Sequence, residues 1–196
     1  MKKLGFSLVL FGYFICTFQA GAITIDFEAV PDSTEVGDFY ASSGIHFADA
    51  VALTAGISLN EFDYPPHSGS VAVADDGSPI IVTFDQPVGN ISAWFAHSEQ
   101  LNFTAYSAGG GTIGTYVDPT ISNLGSDELI SLNFSGVSSL EISATDPSTY
   151  IMDDLSFEQM GQSVPDTAST SFLLTLSCFS LFFARKYVLT RVCHAR

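Results

Sequence analysis

No lysine or arginine occurs between residues 4 and 184 of this 196-residue chain. The six such residues are Lys2, Lys3, Arg185, Lys186, Arg191 and Arg196, and all 21 carboxylates lie between those two groups. This segregation divides the polypeptide into a cationic, apolar leader, an acidic middle, and an apolar tail that ends in cations. It also limits what the middle can become. With only His46, His67 and His97 as bases, the middle forms no ordinary salt bridge. A carboxylate turned into its core must be neutralised or metal-bound. No nucleic-acid partner is expected, because phosphate contacts need cations. A direct grip on anionic lipid headgroups is disfavoured on the same ground.

Residues 1–22 read as a signal peptide. Met1-Lys2-Lys3 is the positive start, and Leu4 to Phe18 is apolar apart from Ser7 and Thr17. Ala20-Gly21-Ala22 is a small-x-small cleavage site that would leave Ile23 as the first mature residue. At the other end, Phe172 to Ala184 is uncharged and Arg185-Lys186 follow at once. A helix over about 171–184 spans roughly 20 Å against a hydrocarbon core of about 30 Å, a marginal membrane span. Cations after the apolar run favour a cytoplasmic end. The alternative is a terminal helix buried in the globular domain, which needs a large core to surround it. Between the two ends, residues 23–163 are long enough for one domain with a sizeable core. Cys16, Cys178 and Cys193 all lie outside it, so the domain holds together without disulfides.

The tail has a recognisable order. Val164-Pro165-Asp166 opens it, Thr167-Ala168-Ser169-Thr170 follows, and then come the apolar run and Arg185-Lys186. Residues 164–196 resemble the PEP-CTERM group of bacterial sorting tails, in particular its VPDSG-type variant. The resemblance implies processing by an exosortase-like membrane protease, transient membrane anchoring through the C-terminal helix, and delivery to the cell surface or an exopolysaccharide matrix. Ala168 stands where that group has Gly, and the chain runs on for ten residues past Lys186.

The middle reads as short alternating strands separated by turn signals, with no amphipathic helix pattern of useful length. The expected strands are 23–27, 44–53, 71–74, 80–84, 90–97, 101–106, 113–117, 129–134, 140–145 and 151–158. Turns fall at Asp75–Pro79, Gln86–Asn90, Gly109–Gly111 and Asp146–Ser148. This pattern predicts an all-β, two-sheet β-sandwich of jelly-roll type, flanked by the signal helix and the C-terminal hydrophobic helix. Alternation turns Ile91, Ala93 and Phe95 inward and Trp94 outward. A hairpin of 90–97 with 101–106 would set Trp94 opposite Thr104 and diagonal to Tyr106.

Two kinds of site follow. An outward Trp94 beside Tyr106, with Tyr64 on the long, proline-stiffened connection Ala55–Ser70, makes a candidate sugar-stacking set. The competing reading is that a loop or the neighbouring sheet covers Trp94. For metal, Asp153 shares the parity of Ile151, Leu155 and Phe157, which reads as core-facing. Glu28 ends the first strand and Asp38 follows ten residues on. Glu28, Asp38 and Asp153 are therefore the candidate ligands of a structural Ca²⁺, a hard cation that takes carboxylate oxygens. Most of the other carboxylates read as a solvated acidic surface.

Asp26-Phe27-Glu28 and Ile151-Met152-Asp153-Asp154-Leu155-Ser156-Phe157 resemble the opening and closing strands of jelly-roll carbohydrate-binding modules. In some of those modules the first and last strands share a structural Ca²⁺. Catalysis finds little support. The histidines lack metal-ligand spacing, and no Gly-x-Ser-x-Gly elbow is present. The sequence thus points to an exported, non-catalytic cell-surface or matrix protein that binds extracellular polysaccharide or builds structure. A glycoside-acting enzyme using a carboxylate pair and a purely structural coat or adhesion protein are the alternatives.

Overall fold

The computed structural model describes residues 21–160. The bulk of the expected signal peptide, the Val164-Pro165-Asp166 motif, the helix about 171–184 and Arg185-Lys186 lie outside the described residues. Among the described residues, no helix is long and apolar enough to cross a membrane. The described part is all-β. Its strands are β1 (Ala22–Ile25), β2 (Thr34–Glu35), β3 (Ile45–Ala48), β4 (Ala50–Thr54), β5 (Val71–Asp75), β6 (Ile80–His97), β7 (Asn102–Tyr106), β8 (Thr112–Val117), β9 (Glu128–Ser143) and β10 (Tyr150–Gln159). A single 3₁₀ turn, Ala41–Ser43, ends at Gly44 in the left-handed region.

These strands form one large antiparallel sheet rather than two separate ones. Its order is β2-β4-β5-β10-β6-β9-β7-β8, with β1 on β10 and β3 on β6. Two pairs of expected strands are in fact single long ones. Residues 80–84 and 90–97 belong to β6, and 129–134 and 140–143 belong to β9. The residues that read as a turn, Gln86–Asn90, instead bulge within β6, where the ladder to β9 slips three times between Thr83 and Ile91. Pro87 is exposed in this interruption, where its missing N–H breaks no regular ladder bond. Asn90 and, across the ladder, Gly136 take positive φ. In the opposite sense, residues 44–53 read as one strand but split into β3 and β4 at Asp49, which has φ 58°. Asp tolerates that conformation better than a bulky residue does. The split hands the chain from β6 on one side to β5 on the other.

Strands far apart in the sheet order share one core. Ala50 and Ala52 of β4 and Phe103 and Ala105 of β7 all belong to a single buried cluster. The sheet therefore curls around its inner face. The alternation within β6 supplies much of the filling, with Ile80, Val82 and Phe84 before the bulge and Ile91, Ala93 and Phe95 after it all buried. Phe84 meets Phe157 at 5.0 Å, and Phe95 meets Phe103 edge-on at 5.4 Å. Burying each such ring is worth roughly 1.5–3 kcal/mol.

A second, smaller cluster lies on the outer face. Ala72 and Ala74 of β5, Ala96 of β6 and Ile151 of β10 are buried beneath Leu59, with Tyr64 and Leu53 beside it. The connection 55–70 makes this cover. Its neck is closed by the Ala55 N–H donating to the Ser70 carbonyl at 2.8 Å, and Gly125 N–H donates to the Asp63 carbonyl at 2.8 Å from the far side. Three alanines among the sheet residues beneath let the loop backbone approach closely. All five residues of β5 are buried as a result.

Candidate functional site

Asp153 sits under this loop. Asp154 takes φ 46°, and the β10–β6 register shifts between Asp153 and Ser156. Facing therefore reverses along β10. Tyr150 and Met152 enter the main core before the shift, and Leu155 and Phe157 enter it afterwards. Asp153 thus shares the outer face with Ile151 and not the core face with Leu155 and Phe157, which corrects the parity read from the sequence. It is 1 % exposed. Its carboxylate accepts the Ser68 N–H at 2.9 Å and the Asp154 N–H at 2.7 Å, and burial pushes its pKa up to about 6. The Ser68 hydroxyl donates to Asp154 at 3.1 Å.

Glu28 grips the same segment from the turn that follows β1. It accepts the N–H groups of Ser70 and Val71, each at 2.8 Å. Asp38 is engaged elsewhere. It lies 2.7 Å from Nδ1 of His46, whose Nε2 is 3.1 Å from Asp85. Those two carboxylates, Asp38 first, hold the His46 pKa above its ordinary value. Glu28, Asp38 and Asp153 are therefore not gathered into one ligand group. Two of them satisfy loop backbone donors and the third pairs with a histidine, so the set does not fit the shared Ca²⁺ expected of it.

Trp94 points away from the main core, as alternation predicts, but its neighbours differ from the expected ones. β6 does not pair with β7; β9 lies between them. β6 pairs with both ends of β9, Ile91 and Ala93 with Leu132 and Ile130 and Ile80 and Val82 with Ile142 and Leu140, while β7 pairs with the Leu140–Ile142 end alone. Trp94 stands between Leu129 and Asp153. Tyr106 pairs with Ser139, ten residues further along β9, and its hydroxyl donates to Glu141 at 2.8 Å. The pair is not adjacent. One face of Trp94 is covered by His67, whose ring is stacked on it with centroids 3.6 Å apart and planes 5° from parallel. Asp127 holds Nδ1 of that His67 ring.

Tyr64 lies in a different place. Its hydroxyl donates to Ser98 at 3.0 Å, and its ring lines a cleft of about 370 Å³ over β4, β5 and the start of β10. Exposed Asn60 and Asp76 rim this cleft, and Leu53, Leu59 and Ile151 give it an apolar floor.

A trio that sequence reasoning missed closes one edge of the sheet. His97 ends β6, Asp118 follows β8 and Glu128 starts β9. Among the described residues, this is the one His/Asp/Glu group whose candidate ligand atoms all lie within 4.8 Å of one another. His97 and Asp118 are buried. Burial, and next the Glu128 charge, hold the Asp118 carboxyl above the usual carboxylate range. The signal was present in the sequence: each residue sits at or beside the end of an expected strand. Strand order, which the sequence does not spell out, is what joins them.

No protein-family model matches the chain, and no curated protein matches it. Among solved structures it is similar to the cleaved adhesin domain K1 of Lys-gingipain from Porphyromonas gingivalis, at 12% identity and TM-score 0.45, covering 72% of this chain and 99% of that one. It is also similar to a DUF4465 family protein from Bacteroides caccae, at 13% identity and TM-score 0.47, over 75% of this chain and 96% of that one. A third is the CBM22-1 xylan-binding domain of Paenibacillus barcinonensis Xyn10C, at 12% identity and TM-score 0.41, over 76% and 100%.

Proposed function

We propose that this chain is an exported, non-catalytic surface or matrix protein whose curled, jelly-roll-like domain binds a neutral polysaccharide. The observation that carries this reading is the cleft beside Tyr64. Its volume of about 370 Å³ falls in the range of small-molecule sites, which combine an apolar lining with a few placed polar groups. The Tyr64 ring and the Leu53–Ile151 floor offer the apolar surface that a sugar ring's C–H face packs on. Asn60 and Asp76 stand at the rim to meet hydroxyls. The absence of Lys and Arg from residues 4–184 selects against uronic or sulfated glycans by charge repulsion.

Burial supports the non-catalytic part of the reading. Among the described residues, the carboxylates with raised pKa are Asp118 and Asp153, which are 2% and 1% exposed, out of reach of a glycosidic bond. Export and delivery rest on the leader and on the Val164-Pro165-Asp166 tail, read as an exosortase substrate. The binding reading is tested with the full chain on immobilised neutral and acidic polysaccharides. Retention on a neutral one without release of reducing sugar, weakened about tenfold (~1.4 kcal/mol) in Tyr64→Ala, is the expected result. Equal retention of Tyr64→Ala, or turnover, would sink it.

A further inference from the structure

We propose that His97, Asp118 and Glu128 form a structural binding site for a divalent transition-metal ion of the Zn²⁺ type. Hydrogen bonding fixes the histidine first. Its Nδ1 lies 2.8 Å from the Glu99 carbonyl, which can only accept, so Nδ1 carries the proton. Nε2 is then turned towards the two carboxylates, 2.7 Å from Glu128 Oε1 and 3.4 Å from Asp118 Oδ2. A metal-bound histidine commonly donates its other ring N–H to a backbone carbonyl in this way.

The second observation is independent of the clustering. Asp118 is 2% exposed, and its Oδ2, aimed at this point, is buried with no hydrogen-bond partner. An unanswered buried carboxylate oxygen is costly. No Lys or Arg is present in the described residues to answer it. A protonated His97 supplies one positive charge against two carboxylates, whereas a divalent ion balances both. The edge of a tetrahedron with bonds of about 2.0–2.1 Å is about 3.4 Å, the separation seen between Nε2 and Oδ2; Glu128 Oε1, at hydrogen-bond distance of 2.7 Å from Nε2, has to draw back to take its place around the ion. The Glu128 side chain is braced around the same point. Thr120 Oγ1 donates to its Oε2 at 3.0 Å, and Asn123 Nδ2 to its Oε1 at 3.4 Å. Asn123 also accepts the His97 N–H at 2.6 Å and donates to the Phe95 carbonyl at 2.9 Å, tying the 119–127 loop to β6.

Donor chemistry sets the ion. An imidazole nitrogen with two carboxylates suits Zn²⁺ and its neighbours, while Ca²⁺ and Mg²⁺ take oxygen donors. The site closes the ends of three strands, so its role is to hold that edge and the 119–127 loop together. Glu128 is the one partly open ligand, with 30% of its side chain exposed, and marks the side from which an ion enters.

The test uses the untagged full chain, stripped with a chelator and then melted in Zn²⁺, Ca²⁺ or Mg²⁺ at matched ionic strength. At free Zn²⁺ a hundredfold above Kd, the folding constant should rise about 100-fold. Asp118→Asn should abolish that gain, and in chelator should melt no lower than wild type, because it removes the unanswered charge. His46→Gln, which removes the histidine between Asp38 and Asp85, should keep the gain. Co²⁺ should give a visible absorption band in wild type that Asp118→Asn and Glu128→Gln lose. No Zn²⁺-dependent gain in wild type, or the same gain in Asp118→Asn, overturns the site. A gain from Ca²⁺ alone overturns the assignment of the ion.

Discussion

The His67 imidazole lies flat on the Trp94 indole, with ring centroids 3.6 Å apart and planes 5° from parallel. This stack fastens the connection 55–70 to β6. It also explains why the only tryptophan of the chain can point outward without standing bare. Trp94 should therefore report loop docking. In His67→Ala, its fluorescence should move to longer wavelength and acrylamide should quench it more readily. The lost ring pair should destabilise the fold by about 0.5–1.5 kcal/mol. Asp127→Asn, which loosens the His67 ring from Nδ1, should shift the emission in the same direction but less. Unchanged quenching in His67→Ala would show that the loop stays docked without the stack.

Gly69 is where the same loop meets Glu28. It has φ 55°, and a Cβ there would lie 2.3 Å from both Cδ and Oε1 of Glu28. No side chain fits without displacing the carboxylate that accepts the Ser70 and Val71 N–H groups. Gly69→Ala should cost about 1–3 kcal/mol in urea unfolding, combining backbone strain with the clash. Adding Glu28→Ala removes the clashing group, so the double variant should lose less than the two single losses added together. Strict additivity would mean that the two positions do not interact.

Tyr150 ties together three strand ends. It is 2% exposed, and its hydroxyl donates to the Ile142 carbonyl of β9 at 2.9 Å while the Ile80 N–H of β6 points at it from 3.5 Å. Burial pushes its pKa upward, so the donor stays protonated. Tyr150→Phe keeps the packing and leaves the Ile142 carbonyl without that donor. The expected loss is about 1–3 kcal/mol, with faster amide exchange near Ile80 and Ile142. A neutral outcome would mean that water replaces the hydroxyl.

Much of the sheet was legible because a period of two is a local signal. Ile80, Val82, Phe84, Ile91, Ala93 and Phe95 alternate in the sequence and are all buried. What local patterns could not carry was the effect of single irregular residues. Asn90 and Gly136 bend β6 and β9 without ending them, Asp49 ends a strand without any Gly or Pro beside it, and Asp154 reverses the facing of β10. One slipped residue moves a side chain to the opposite face, which is why plain alternation along 151–157 puts Asp153 on the core face while the fold puts it on the outer one. The candidate site shows the same limit. His97, Asp118 and Glu128 are far apart in the chain and meet only because β9 lies between β6 and β7.

Asp153 and His46 give the fold an acid-favouring stability profile. The Asp153 carboxyl titrates near 3.8 when unfolded and about 6 when folded. Between those values the folded chain holds a proton that the unfolded chain has released, so stability falls as pH rises through that window and levels off above it. His46 acts in the same direction. Its pKa is raised by Asp38 and then Asp85, so its contribution is complete below the unfolded value of 6.5 and is lost as pH rises through the folded value. Repulsion within a chain of net charge −15 also grows with pH. In the opposite direction, Asp32 is held below its ordinary value, first by the Ser58 hydroxyl, so its stabilisation is lost as pH falls below about 4. The Tm should therefore peak near pH 4 and decline by on the order of 5 °C towards pH 8. Asp153→Asn keeps an oxygen for the Ser68 N–H but cannot ionise. Its melting curve should be flatter between pH 4 and 6, with the decline above pH 6 retained through His46. A wild-type Tm that rises from pH 5 to pH 8 would contradict this, and would require other groups to outweigh Asp153, His46 and the net charge together.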